Sequence, residues 1–342
     1  MLRSCTMATN RLRRSLSAFN HFTHRWVPVP SSDVQNQAMR RLSPTRPNFS
    51  SLNDDGNSVS RISLLSWNID GLSPRPVKRA KLILDYILDR THSPDVVFFQ
   101  EVAPAVRESL LDDTRVRGAF LTTDAEDQTS FEDVPFATMT LLSSGRFTSE
   151  VELRRKKSPS SEEQGSEQER LIHGQVSRIG FPSKYGRNAL SVDIIRPDTP
   201  NKPLRLINVH LDSLADTLRH RTQQIEILAN VLREPACGSG IIAGDFNAIS
   251  PEDETLVDKN GLVDAWVALH GKANVNGDTW GVDMEVRKGL APGRLDKVAM
   301  LGVKAEKMEI IRPGSLEVAR PAKEPLMIPW SDHCGLKCTF TI

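Results

Sequence analysis

Four apolar runs of strand length in this chain each end in polar side chains placed one or two residues apart. Ile241-Ile242-Ala243 leads into Gly244-Asp245-Phe246-Asn247, and the same logic recurs in Ser66-Trp67-Asn68-Ile69-Asp70, Phe99-Gln100-Glu101 and Trp330-Ser331-Asp332-His333. Side chains repeat every second residue along a strand, so a pair at that spacing is aimed one way. Clusters so far apart in sequence can cooperate only if their strand ends converge, and in sheet folds ligands gather where strand ends meet.

The other runs agree. Ile62 to Trp67 reads as a strand, Val77 to Leu88 carries apolar residues at helical spacing (Leu82, Ile83, Tyr86, Ile87), and Asp95 to Gln100 is a continuous apolar strand, giving a β-α-β beginning. Strand-like runs follow at 137–142, 190–195, 204–209, 241–243, 297–301 and 335–340, with helices expected at 217–232 and 261–270. The pattern predicts an α/β chain: two mixed β-sheets packed as a sandwich and covered by helices.

The 342 residues, 39% of them hydrophobic, suffice for one catalytic domain of roughly 250 to 280 residues once non-globular segments are set aside. No apolar stretch approaches the ~20 residues of a membrane span, so no membrane is expected. Mean hydropathy is −0.34. Residues 1–57 are rich in Ser, Arg and Asn without a sustained period and are expected to be a disordered arm, leaving 58–342 as the domain. A mobile loop insertion is expected at about 154–170, where charge changes sign midway and nothing can be buried. Residues 1–32 hold Arg3, Arg11, Arg13, Arg14 and Arg25 and no acid, so removing those five charges from the net +1 leaves −4 for the rest. A protein that tracks long duplexes would show a basic face, so binding at nucleic-acid ends fits better. The basic arm reads first as an inert or weakly basic tail and second as mitochondrial targeting. Its Phe19, Phe22, Trp26 and Val27 are apolar enough to dock on the domain. Cys5, Cys237, Cys334 and Cys338 have neither disulfide density nor C-x-x-C spacing, and buried small side chains outweigh a metal site for the last two.

The clusters permit phosphodiester hydrolysis. That reaction needs an aligned water, a base for its proton, and positive or hydrogen-bonding groups for charge on the phosphoryl oxygens. Hard cations such as Mg²⁺ take oxygen ligands, one or two of them carboxylates, and Glu101 at the end of a buried strand is the leading candidate. Asn68 and Asp70 share a side and could position the hydrated ion or phosphate, although alone they would more often be turn residues. Asp245 with Asn247 fits the base and its orienter. His333, flanked by Asp332, fits a donor to the phosphoryl oxygens, with Asp296 holding its imidazole. His210, in Asn208-Val209-His210-Leu211-Asp212-Ser213, is a second donor, though a lone His there is more often structural.

These residues resemble the endonuclease/exonuclease/phosphatase superfamily over about 61–340, and within it the 5′-tyrosyl-DNA phosphodiesterase branch. The likeness rests on Trp67-Asn68-Ile69-Asp70-Gly71-Leu72, Gln100-Glu101-Val102, Phe181-Pro182-Ser183, Arg187-Asn188, Thr279-Trp280 and Ser331-Asp332-His333. The resemblance implies a four-layered sandwich and a magnesium-dependent phosphodiesterase, Mn²⁺ substituting, that removes tyrosyl adducts of trapped topoisomerase II from DNA 5′ ends and leaves a 5′-phosphate. It implies that Glu101, Asp70 and Asp332 hold the metal, that Asp245 and Asn247 handle the nucleophilic water, and that His210, Ser213 and His333 contact the phosphate, with Asn68 in the site and Asp296 behind His333. Asn188 would help order the site, and Lys184, Arg187, Trp280 and Arg294 are candidates for contact with a single-stranded 5′ end. A monomer acting in nucleus and cytoplasm is expected.

Three departures bear on the substrate. The branch usually has His-Leu-Glu-Ser where this chain has His210-Leu211-Asp212-Ser213, an arginine where Ile249 stands, and a bulky aromatic where Cys334 stands. The same chemistry on abasic DNA, poly(A) or a small phosphoester is the alternative, and a non-catalytic module for nucleic-acid ends is the alternative of another class.

Overall fold

A computed structural model describes residues 10–31, 60–89, 93–150, 170–196, 200–272, 276–286, 290–320 and 323–342. One eight-stranded sheet has the order β1 (Arg11–Arg14), β9 (Leu171–Gly180), β10 (Asn188–Ile195), β11 (Leu204–His210), β12 (Ser239–Asp245), β14 (Asp296–Leu301), β13 (Val263–Asp264), with β8 (Phe147–Thr148) added beside β9. The other runs β15 (Lys304–Ile311), β18 (Gly335–Thr341), β4 (Arg61–Asn68), β5 (Val96–Val102), β7 (Ala137–Ser143), β6 (Phe120–Thr123), β2 (Leu16–Asn20), β3 (Arg25–Val29). A hairpin of β16 (Ser315–Arg320) and β17 (Lys323–Pro329) stands apart from both.

Each sheet has a central parallel pair, β4 with β5 and β11 with β12, and the two converge on the same end of the sandwich, while the short β8 also runs parallel to β9. Parallel neighbours need a crossover, and a helix supplies it in the two central pairs. These are α1 (Pro76–Leu88) and α4 (Leu218–Leu232). The shorter helices are α2 (Pro104–Asp112), α3 (Thr114–Ala119), α5 (Leu256–Lys259) and α6 (Ala265–His270). The strands are continuous apolar runs because both of their faces are buried. Leu64, Val96 and Phe98 meet Leu190, Leu206, Ile241 and Val298 between the sheets. Leu65, Trp67, Val97 and Phe99 on the alternate face pack under Ile83, Leu84, Ile87 and Leu110 of α1 and α2, and Ile207, Val209 and Ile242 under Ile225 and Leu228 of α4. Each such side chain contributes on the order of 1.5–3 kcal/mol. The layers are therefore helix, sheet, sheet, helix, as the sequence predicts.

The N-terminal segment corrects the expected arm. Arg11–Arg14 pairs with β9, while Leu16–Asn20 pairs with β6 and forms a hairpin with Arg25–Val29, so 11–29 is part of both sheets. Leu16 and Val29 are buried in the central core and Trp26 Nε1 donates to Leu111 O at 3.2 Å, whereas Phe22 stays exposed. The remainder of the arm lies outside the described residues, as do 151–169 of the expected loop insertion.

Candidate active site

The inward column of each central strand ends in a polar residue. Ile62, Leu64, Ser66 and Asn68 alternate inward along β4, as do Leu204, Leu206, Asn208 and His210 along β11, and Ile241, Ala243 and Asp245 along β12. One layer below the site, Gln100 Nε2 donates to Ser66 Oγ at 3.1 Å and to Asn208 Oδ1 at 2.8 Å, and Asn208 Nδ2 donates to the carbonyls of Phe99 and Met139. These buried amides join the two sheets and fix the height of the column ends.

Glu101 reaches the site by a different route. A strict period of two would point it outward with Phe99, but the β5–β7 register breaks between Phe99 and Val102, and Glu101 has φ 55°. A bulge of this kind re-aims a side chain. Glu101 Oε1 then accepts from Asn68 Nδ2 at 3.2 Å and Oε2 from Gly71 N at 3.2 Å. Gly71 is required there, since a Cβ would lie 2.2 Å from Glu101 O.

Asn68 Nδ2 also donates to Asp245 Oδ2 at 3.0 Å and lies 3.5 Å from His333 Nε2. His210 Nε2 is 3.4 Å from Asp245 Oδ2 and 3.8 Å from Glu101 Oε1. Asn68, His210 and His333 thus surround Asp245, and Glu101 adjoins it through Asn68 and His210. Asn247 differs from its expected geometry. It lies past the end of β12 with φ 48°, its backbone N–H donates to Asp245 Oδ1 at 2.8 Å, and its side-chain amide is spent on Leu211 O at 3.0 Å. It orients the carboxylate through its backbone rather than by a shared strand face.

His333 Nδ1 is 2.7 Å from Asp296 Oδ2, which also accepts from Thr279 Oγ1 at 2.7 Å. Trp67 Nε1 donates to His333 O at 3.0 Å, and Ser331 Oγ accepts the His333 amide at 3.0 Å while donating to Asn68 O. A hydrogen on Nδ1 follows from the carboxylate partner. Burial lowers the His333 pKa, but the charges of Asp296 and Asp245 outweigh it and hold the ring well above its ordinary range. His210 goes the other way: burial, then the charges of Arg187 and His333, depress it well below 6.5. The surroundings thus favour the cationic form of one imidazole and the neutral form of its neighbour.

The carboxylates carry the complementary strain. Burial pushes Asp245 up to about 7, and Asp70 up to about 6 with Asp332 adding to it. Glu101 is raised by burial against the pull of His333 and Asn68. An all-oxygen donor set whose charged forms are disfavoured by burial and by one another fits a hard divalent cation. Glu101 keeps lone-pair capacity on both oxygens. Asp332 is one-third exposed, with Oδ2 held by Trp280 Nε1 at 2.9 Å. Asp70 is the weaker candidate ligand: Oδ2 meets Arg79 at 3.2 Å and Oδ1 accepts Ser73 N at 3.3 Å. Asp245, Asp296 and His333 also bring three ligand atoms within 4.8 Å of one another. His333 Nδ1 and Asp296 Oδ2 are already engaged with each other, which favours reading this trio as carboxylate, imidazole and orienting carboxylate.

Among the substrate-side candidates, Arg187 stands at the site, its Cζ 4.8 Å from the centroid of Phe136, whose ring stacks on His210 at 5.5 Å. Asn188 Oδ1 accepts from the buried Arg178, which is also paired with Asp124 at 2.9 Å. Trp280 pairs through its backbone with Gly293 and His333. Ser213 is half-buried three residues beyond His210. Arg294 is turned to Asp264 and Glu254 at 2.7 and 2.8 Å, and Lys184 to Asp216, so both cations are engaged away from the acidic cluster.

Several contributors escape sequence reasoning. Arg79, fully buried on α1, donates to Asp70 and to the carbonyls of Pro74 and Trp330, tying the turn after β4 to the segment before His333. Phe136, Thr279 and Arg178 likewise act through partners remote in sequence. Thr279 stood in the Thr-Trp pair, but nothing there marks it as a support for Asp296.

The pattern of the Endonuclease/Exonuclease/phosphatase family matches residues 65–333, a span containing every side chain of this cluster. The chain belongs to that family. Tyrosyl-DNA phosphodiesterase 2 of Xenopus tropicalis is 30% identical over 292 residues, covering 83% of this chain and 67% of that protein. The Homo sapiens protein of the same name is 27% identical over 324 residues, covering 93% and 76%. The crystal structure of D. rerio TDP2 complexed with single strand DNA product has the same fold, with a TM-score of 0.59 at 22% identity over 83% of this chain and 100% of that one.

Proposed function

We propose that this family member hydrolyses the phosphodiester joining a tyrosyl residue to a DNA 5′ end, of the kind left by trapped topoisomerase II, and leaves a 5′-phosphate. The observation that carries the reading is the convergence of Asn68, His210 and His333 within hydrogen-bond or ion-pair reach of Asp245, with Glu101 joined to the same Asn68 and His210. The names of its relatives and the DNA product bound to the D. rerio protein support the substrate class.

In this reading Asp245, destabilised as an anion by burial, takes the proton of the attacking water, while the Asn247 amide and Asn68 Nδ2 fix its two oxygens. Cationic His333 donates from Nε2 toward the phosphoryl oxygens, held in register by Asp296. Neutral His210 and the Arg187 guanidinium complete the donor set. A phenolate leaves readily, its conjugate acid having a pKa near 10, so a depressed imidazole such as His210 need not protonate it. Glu101 and Asp332, with Asp70 behind them, would hold Mg²⁺, which when bound neutralises charge on the phosphoryl group.

The test offers purified protein a 5′-phosphotyrosyl oligonucleotide, an abasic duplex and a polyadenylate strand in parallel, each with Mg²⁺, Mn²⁺ or chelator. Release of tyrosine and a 5′-phosphate that chelator abolishes is expected. Turnover confined to the abasic or polyadenylate substrate rules out the tyrosyl assignment.

A further inference from the structure

The segment between β9 and β10 that delivers Arg187 is held by a carboxylate outside the catalytic set. Asp212, two residues beyond His210, is fully buried. Its Oδ2 accepts the Lys184 amide at 2.7 Å, and Oδ1 accepts the Ser183 hydroxyl. Ser183 Oγ in turn accepts the amides of Tyr185 at 3.1 Å and Arg187 at 2.8 Å. Three backbone N–H groups of one short loop therefore terminate, directly or through a single hydroxyl, on Asp212. Gln224 of α4 locks the arrangement from behind, donating to Pro182 O at 3.0 Å and accepting the Asp212 amide at 3.1 Å.

The end of this chain of contacts is Arg187. Its guanidinium lies over Phe136 beside His210, and its buried Nε has no protein partner. A buried donor without a partner is costly unless a ligand supplies one. The hydrogen bond to its own backbone amide fixes where the side chain starts. We propose that Asp212 is a positioning residue: it sets the backbone of Ser183 to Arg187 so that the Arg187 guanidinium is presented to the phosphoryl group. This inference rests on the phosphodiesterase reading but not on which leaving group is used. A side chain one methylene longer or shorter at 212 changes the reach of the carboxylate and so the placement of the loop.

A double-mutant cycle tests it, read on a p-nitrophenyl ester of thymidine 5′-phosphate so that leaving-group preference does not enter. Asp212→Asn keeps the volume but presents an N–H toward one of two donors, and is expected to lower kcat/KM by roughly tenfold to a hundredfold, the cost of misplacement on the scale of an ångström. In the Arg187→Ala background the same change should cost less than about threefold, because coupled residues do not add. Ser183→Ala, which removes only the hydroxyl relay at a half-buried position, should show a smaller loss that also vanishes without Arg187. It carries the test should Asp212→Asn not fold. Faster amide exchange at Tyr185 and Arg187 in Ser183→Ala is the independent readout. Equal fold-losses in both backgrounds overturn the proposal while leaving the phosphodiesterase reading intact. A wild-type protein that cleaves no phosphodiester overturns that reading and this inference with it.

Discussion

At the scale of single residues the site is a set of opposed pKa shifts. Asp245 is buried as an acid that resists ionisation, and His333 as a cation that Asp296 and Asp245 sustain. Glu101→Gln and Asp245→Asn should each lower the rate by orders of magnitude without lowering the melting temperature in chelator, since each removes a charge that burial disfavours; a large fall in melting temperature would show these carboxylates to be structural. Asp296→Asn should move the alkaline limb of the pH–rate profile downward. The sign follows from the partner: His333 acts as a cation, its pKa is raised by Asp296, and losing that charge lets the proton leave at lower pH. An unchanged limb would mean that another group sets it. The residue types were legible in the sequence, because carboxylates, amides and imidazoles at the ends of apolar runs are hard to explain otherwise. Their supports were not: Arg79, Arg178 and Asp212 become visible only when segments far apart in sequence are brought together.

At the scale of elements, the two central parallel pairs were legible because strands buried on both faces are continuous apolar runs, and α1 and α4 because their apolar spacing is helical. β9 was not. Leu171-Ile-His-Gly-Gln-Val-Ser-Arg-Ile-Gly180 turns His173, Ser177 and Arg178 into buried positions, so its hydrophobic alternation is erased by polar groups with buried surroundings. The three N-terminal strands were hidden for the opposite reason, since they are short strands at or next to the sheet margins with few fully buried residues. The direction of Glu101 was also beyond sequence reasoning, because it depends on a bulge that breaks the period of two. Gly71→Ala tests that element: the added methyl would collide with Glu101 O at 2.2 Å, so the turn must shift. A loss of roughly 1–3 kcal/mol in stability and at least about tenfold in kcat/KM is expected, measured by thermal melting and initial rates.

For the whole molecule, the acidic cluster couples folding to pH and is expected to couple it to divalent cations. Asp70, Asp245 and Glu101 all have folded pKa values above their ordinary ones, with Asp70 near 6 and Asp245 near 7. Between about pH 4 and 7 these three groups therefore bind more protons in the folded state than in the unfolded chain, and their contribution to stability in chelator falls as pH rises through that window, opposed by the depressed imidazole of His210. His333 has the same sign at higher pH: its contribution is complete below 6.5 and disappears as pH rises through its folded value. Melting curves from pH 5 to 8 with chelator should show a progressive decrease. A divalent cation at about a hundredfold above its Kd should restore about 2.7 kcal/mol at pH 8, and less at pH 5, where protons compete for the same oxygens. A flat profile would mean that the cluster is not built around exchangeable charge.

Leu16–Asn20 closes the open side of β6, and Arg11–Arg14 closes that of β9. Truncating the protein after residue 31 to obtain a tidier fragment would uncover the unpaired amides and carbonyls of two strands at once, on opposite layers, together with the apolar contacts of Leu16 and Val29. Such a fragment would behave as a bivalent, adhesive building block prone to head-to-tail polymerisation, so a soluble preparation must keep those twenty-odd residues even though the catalytic groups all lie downstream of them.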